Sequence, residues 1–182
     1  GVDLRSYKGE HFTELTDLLG GQFYVDDNDE NNPNNVAEVG DMILYHDDGF
    51  VSWVGAFAQA EYSKDDLSAF LSVAASNTGY KRIDYFNYLN TDPLRETDWI
   101  NFFGYSAKGG ANYNLDEKNN IFANVGYFER APFLDAVFLD FRNDSNEEAE
   151  NQKIFSLELG YGFRTPNLRL DVNVYRTMWN DR

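Results

Sequence analysis

Polar and apolar residues alternate one by one along several stretches of this chain. The clearest is 168–178, where one side is apolar and the other polar: Leu168, Leu170, Val172 and Val174 against Arg169, Asp171, Asn173 and Tyr175. Successive side chains of a β-strand point to opposite faces, whereas a helical face repeats about every 3.6 residues. The alternation therefore predicts a strand with two chemically different faces.

The same alternation returns in five further stretches: 49–62, 66–80, 102–114, 120–128 and 153–164. The stretch 66–80 is the weakest, because a helix over 65–75, capped by Ser63, also fits its leucine spacing. We favour a strand, since the segment lies between two stretches of matching alternation. The 15 Phe, 12 Tyr and 3 Trp residues also favour strands.

The connections between these stretches alternate in length. Short turns lie at 63–65, 116–119 and 165–167, and long polar connections occupy 9–48, 86–101 and 131–152. If the short turns share one side, every long connection lies on the other. This arrangement predicts an all-β, antiparallel up-and-down meander of about six strands, as in part of a transmembrane β-barrel. A soluble sandwich places long connections at both ends.

Aromatic residues on the apolar face fall near both ends of the predicted strands. Four lie near the long connections and three near the short turns: Phe103, Tyr105, Tyr127 and Phe155, then Tyr113, Tyr161 and Phe163. Two belts of aromatic residues, separated by a middle zone with few aromatic residues, are typical of a β-sheet that spans a bilayer. The alternative is the ordinary preference of aromatic residues for strands in a soluble protein.

Composition narrows the possible functions. The formal net charge of −16 argues against a nucleic-acid partner, because phosphate binding needs a basic surface. The chain has no Cys and only two His, which leaves little material for thiolate chemistry, a His-based triad or a transition-metal site. No phosphate-binding loop or glycosidase motif is present. We therefore expect no enzymatic activity, cofactor or metal.

Acidic residues are concentrated in the first long connection. No Lys or Arg occurs over 9–48, whereas Asp26, Asp27, Asp29 and Glu30 all lie there. A solvated loop is the ordinary explanation for such a charge run. A cation-binding loop is the alternative, although 26–30 lacks the ligand spacing of an EF-hand.

Several segments resemble the β-barrel of TonB-dependent outer-membrane receptors, and most closely the large nutrient receptors of Bacteroidetes-type bacteria. The resemblance spans all 182 residues and depends on the ordered combination of short motifs: DLLGG at 17–21, WVGAFAQAEY at 53–62, KGGANY at 108–113, FANVGYFERAPF at 122–133 and ELGYG at 158–162. Each motif alone is weak.

The resemblance implies a barrel of about 22 strands around an N-terminal plug domain, in the outer membrane of a Gram-negative cell. It implies TonB-coupled uptake of a nutrient such as a siderophore or a glycan. Residues 1–182 contain no plug segment and no TonB box, so we expect them to form an internal barrel segment. The expected partners are the plug domain, TonB through the missing N-terminal part, a small nutrient ligand and outer-membrane lipid.

Two groups of residues are candidates for contact with the ligand or the plug. The outer-loop candidates for ligand binding are Trp99, Tyr88, Asp26 and Asp27. A polar row is predicted to face the barrel interior: Lys108, Asn112, Asn124, Glu158, Arg169 and Asp171. The alternative for the row is simple hydration of a polar interior. The alternative for the whole chain is a soluble β-sandwich that binds carbohydrate through exposed aromatic residues.

Overall fold

The computed structural model describes residues 1–181, which are organised almost entirely as β-structure. Nine strands follow in chain order: β1 (Val2–Glu14), β2 (Tyr24–Asp26), β3 (Asn35–Ala37), β4 (Met42–Lys64), β5 (Leu67–Asp84), β6 (Ile100–Asn114), β7 (Asn119–Arg130), β8 (Gln152–Arg164) and β9 (Arg169–Asn180). Seven of them form one antiparallel sheet in the order β1-β4-β5-β6-β7-β8-β9, and β2 pairs with β3. The prediction of an all-β antiparallel meander is confirmed, with one strand more than expected.

Short turns join β4 to β5, β6 to β7 and β8 to β9. In the second turn the Asp116 carboxylate accepts hydrogen bonds from the backbone N–H of Lys118 and from Asn119. These bonds, that of Lys118 first, hold the pKa of Asp116 below its usual range. In the third, the N–H of Thr165 donates to the Leu168 carbonyl at 2.8 Å. Side-chain acceptors at such positions fix tight turns and thereby the strand register.

All three long connections leave the opposite end of the sheet, as predicted, but they are shorter than the sequence indicated. They run over 15–41, 85–99 and 131–151. The first contains β2 and β3, and the third contains the single-turn helix α1 (Leu134–Val137). The difference is largest for 9–48, since β1 continues to Glu14 and β4 begins at Met42.

The two faces of the sheet agree with the alternation in sequence. Paired residues of adjacent antiparallel strands point to the same side, and Val73 is opposite Ala107, which is opposite Tyr127. Tyr127 is in turn opposite Phe155. Residues 67–84 form a strand, so the helix alternative for 65–75 is wrong, because both edges of this segment pair with neighbouring strands.

The apolar face carries no covering layer among residues 1–181. Large side chains on it are exposed, including Phe103 at 65%, Leu159 at 55% and Val174 at 74%. Arg176 interrupts the face on β9, opposite Leu157.

The small hydrophobic core lies on the other face, near the long connections. Tyr80, Val137 and Phe138 form its centre, where the 131–151 connection folds back over β5. The Tyr80 hydroxyl donates to the Pro132 carbonyl at 2.7 Å, which ties that connection to the sheet. One end of the polar face is therefore covered, and the rest is open.

The strands at the edges, β1 and β9, run in the same direction because the sheet has an odd number of antiparallel strands. Joining them to each other would require a parallel pair. Closing the sheet as an antiparallel barrel instead requires an odd number of additional strands between β9 and β1.

No helix within residues 1–181 is long and apolar enough to cross a membrane.

Candidate functional site

The polar face bears an open cavity of about 650 Å³ near the short turns. Three of the predicted row residues, Lys108, Asn112 and Asn124, line it. The Asn124 amide donates to the Glu158 carboxylate at 3.0 Å, and Asn173 donates to the same carboxylate at 2.6 Å. The structure thus brings together four residues of the row on one polar surface across β6, β7 and β8, and two of them, Asn124 and Glu158, are directly hydrogen-bonded.

Arg169 and Asp171 lie on the same face but apart from this cavity. They pair with each other on the edge strand β9, with 2.6 Å between Arg169 Nε and Asp171 Oδ2. Both side chains are more than half exposed. Such an ion pair contributes little to stability, so these two residues are available to a further strand or partner.

Aromatic rings on the polar face lie over facing glycines. Phe70 is opposite Gly110, and Phe122 is opposite Gly160. A Cβ at either glycine would overlap the facing ring. Gly110 and Gly160 therefore provide the space that the facing rings occupy, so that each ring covers the neighbouring strand.

A buried charge cluster, which the sequence analysis missed, lies on the polar face near the long connections. Arg82 is 4% exposed, and its Nη2 lies 3.1 Å from Asp47 and 3.6 Å from Asp84. His11 Nδ1 lies 3.5 Å from the second oxygen of Asp47. Buried charges of this kind need partners. The sequence did contain an indication of this cluster. In the alternation along their strands, Asp47 and Arg82 fall on the same face as the residues of the polar row.

A second cluster lies on the opposite side of the same strands. Asp48 accepts a hydrogen bond from the Tyr85 hydroxyl at 2.6 Å and pairs with Lys8 at 2.8 Å. Burial, together with this hydrogen bond, raises the pKa of Tyr85 to about 12. His46 Nε2 lies 2.8 Å from Glu10, and the His46 ring packs on Tyr85 with 4.5 Å between centroids. These contacts join β1 to β4 above the apolar band.

Two of the four outer-loop candidates lie in the β2–β3 excursion. Asp26 is only 1% exposed and accepts a hydrogen bond from the Leu44 N–H at 3.1 Å, which attaches β2 to β4. Asp27 is exposed and accepts from the Asn34 N–H at 2.9 Å. Asp26 therefore has a structural role, and Asp27 stabilises the loop while remaining accessible.

The other two candidates belong to the 85–99 connection. The backbone carbonyl of Tyr88 accepts a hydrogen bond from the Asn31 amide at 3.0 Å, and the ring is half-buried. Trp99 is 47% exposed and lies beside Gly79. Asn31 thereby links the first and second long connections, whereas Trp99 contacts the sheet at a different position.

A further cavity of about 590 Å³ lies between the sheet and the 131–151 connection. We refer to it as the upper cavity. Its walls come from β1, β4, β5 and the second and third long connections, and they include His11, Tyr45, Asp47, Arg82, Asp135 and Asp140. The upper cavity thus has the buried charge cluster as its floor and the folded connection as its roof.

Within residues 1–181, no group of three or more His, Cys, Asp or Glu side chains is arranged to hold a metal ion. No protein-family model, curated protein or solved structure matches the chain. The fold and the site define a two-faced antiparallel wall, with an exposed apolar face, a polar face and all long connections at one end.

Proposed function

We propose that this chain is part of the wall of an outer-membrane β-barrel of the TonB-dependent receptor type. Its long connections would capture a nutrient ligand for TonB-coupled uptake. The observation that carries the proposal is the uncovered apolar face, which extends over neighbouring strands and lies back to back with a polar face. Proteins in water rarely expose a contiguous apolar surface of this kind.

The dimensions of the apolar face fit a bilayer. On β6 it extends from Phe103 to Tyr113, and Asn101 is the next residue of the same face at the long-connection end. This is the length of about 9–11 residues that a tilted transmembrane strand needs. At the long-connection end, charged residues mark the boundary of the band: Lys8, Lys81, Glu129 and Lys153.

The soluble-sandwich alternative has less support. A sandwich stacks a second sheet on the apolar face at about 10 Å. The second sheet of the described chain contains only β2 and β3, with three residues each. It lies among the long connections, so it cannot cover the band.

The open edges support a larger barrel. Seven strands with parallel edge directions need an odd number of added strands for antiparallel closure, and bacterial single-chain barrels have even strand numbers. The exposed edge of a sheet has unpaired backbone N–H and C=O groups, which form hydrogen bonds with a further strand. The polar face, including Lys108 and Asn112, would then face the interior, where a plug domain or water would contact it.

Single-cysteine labelling tests the membrane placement, because the chain contains no native Cys. We would place one nitroxide at a time on residues 121–127 of β7 in lipid vesicles. Odd positions such as Val125 should be accessible to oxygen, which partitions into lipid. Even positions such as Asn124 should be accessible to a water-soluble nickel chelate.

The control is a nitroxide at Thr91, an exposed residue of the 85–99 connection, which should be accessible to the chelate alone. Uniform accessibility to the chelate along β7 would overturn the proposal. So would a folded monomer in plain buffer without detergent.

A further inference from the structure

We infer that the upper cavity binds a small zwitterion that has both a free amino group and an oxygen acceptor, namely a short peptide or an amino acid. The inference deepens the proposed function and rests on it, because it names the ligand class of the receptor. The cavity volume of about 590 Å³ is within the roughly 300–1,000 Å³ of small-molecule sites.

The first argument is the unsatisfied guanidinium on the floor of the cavity. Arg82 is 4% exposed and lines the upper cavity. Its Nη2 contacts Asp47 and Asp84, but its Nη1 is buried without a hydrogen-bond partner within residues 1–181. A buried charged donor without an acceptor is costly. A carboxylate or peptide-carbonyl oxygen would satisfy this donor when the floor opens enough to uncover Nη1, which neighbouring protein atoms now cover.

The second argument is the free carboxylates on the roof. Asp135 and Asp140 line the same cavity from the 131–151 connection. Both are exposed, and neither side chain forms an ion pair or a hydrogen bond in the described chain. Two unpaired carboxylates that face one cavity favour a cationic group there.

Aromatic rings complete the lining. Tyr45 and Phe141 are 42% and 76% exposed, and both line the cavity. Aromatic faces attract ammonium groups through their quadrupole. The buried Phe138 adds an apolar surface for the body of the ligand.

Only a ligand that carries both a cationic group and an oxygen acceptor complements the side chains that line the cavity. A simple anion would meet Asp47, Asp135 and Asp140, which outnumber the guanidinium. A simple cation would leave Arg82 Nη1 without an acceptor. A neutral sugar would leave the two roof carboxylates without a counter-charge. A peptide with a free amino terminus places its ammonium at the roof and a carbonyl or carboxylate oxygen at the floor.

Calorimetric titration of the full chain in detergent tests this with four probes: triglycine, N-acetyl-triglycine, triglycine amide and maltose. Triglycine should bind. Acetylation removes the ammonium and should weaken binding about tenfold or more, amidation should weaken it several-fold, and maltose should not bind. Equal affinity for triglycine and its acetylated form, or a preference for maltose, would overturn the inference.

The double variant Asp135→Asn with Asp140→Asn should abolish the discrimination between the free and the acetylated peptide. The matched control is Glu147→Gln, which changes an exposed carboxylate of the same connection outside the cavity lining. Arg82→Lys should abolish the discrimination between the acid and the amide. If that variant does not fold, the roof variants still test the site, because their positions are exposed.

Labelling and titration of the same preparation distinguish a failure of this inference from a failure of the proposed function. If the alternating nitroxide pattern is present but no probe binds at about 1 mM, the inference is wrong and the proposed function stands. If the alternating pattern is absent, the proposed function fails whatever the titration shows.

Discussion

Phe122 and Gly160 face each other across β7 and β8, and the phenyl ring occupies the space that a side chain on Gly160 would need. The same arrangement joins Phe70 and Gly110 across β5 and β6. These pairs explain how a face predicted to be polar accommodates large aromatic residues. Each ring covers the backbone of the adjacent strand instead of projecting away from the sheet.

Gly160→Ala should destabilise the sheet, because the added methyl group displaces the Phe122 ring. Overpacking of this kind costs about 1–3 kcal/mol. The matched control is Gly109→Ala, whose Cβ would lie 3.4 Å from the Phe70 carbonyl and 3.8 Å from Leu71, an ordinary contact distance. Urea titration in detergent should show a lower unfolding midpoint for Gly160→Ala only. Equal midpoints would contradict the role of the ring.

Val125→Lys should impair folding into lipid vesicles, since Val125 lies on the apolar face of the interior strand β7. A lysine near the bilayer midplane costs about 2–4 kcal/mol. The neighbouring Asn124→Lys places the same charge on the polar face, where it should be tolerated. The folded fraction of each variant in vesicles is the measurement. A stronger effect at 124 than at 125 would reverse the assignment of the faces.

Asp26→Ala should release the β2–β3 excursion from the sheet, because it removes the buried acceptor of the Leu44 N–H. A buried donor left without its partner costs about 1–3 kcal/mol. Limited proteolysis should then cut faster within 15–41. Asp27→Ala removes only an exposed contact with Asn34 and should change the rate less. If both variants were cut at the rate of the unmodified chain, the attachment through Asp26 would be unimportant.

Tyr85 should make the stability of the chain fall at alkaline pH. Its pKa in the folded chain is raised to about 12, above the ordinary value of about 10. The protonated hydroxyl is favoured by folding, so its contribution is complete below about pH 10 and is lost as the pH rises towards 12. Urea titrations across this interval should therefore show decreasing unfolding free energy.

Tyr85→Phe should flatten that decrease, although its stability at neutral pH should be lower because the bond to Asp48 is absent. Other groups of the chain are the same in both proteins, so the difference between the two slopes isolates Tyr85. Tyr88→Phe is the control. An identical slope in Tyr85→Phe and the unmodified chain would assign the alkaline loss to other groups.

The alternation in sequence was sufficient to predict most of the sheet. Whether Val125 and Asn124 point to opposite faces depends only on their being neighbours in a strand, because side-chain direction repeats every second residue. The short turn at Asp116 was likewise predictable, since its contacts are with Lys118 and Asn119. The face and position of Lys108, Asn112, Asn124 and Glu158 followed from the same local rule.

β1 was not predicted, because its second half lacks the alternation. Polar and charged residues occupy both sides there, with Lys8, Glu10 and His11 close together. It is a strand because β4 offers an edge with matching partners, such as Asp48 for Lys8 and Asp47 for His11. Such pairing depends on residues far apart in the chain, which local pattern does not reveal.

The sequence by itself determined six of the seven strands of the large sheet, their two faces and the end at which the long connections lie, because these depend on period two and on turn residues. The tertiary structure decided where those connections go. It folded 131–151 over the polar face, buried Arg82 beside Asp47 and enclosed the upper cavity. These features arise from contacts between distant segments, whose free energy depends on burial and charge pairing that exist only after the sheet has formed.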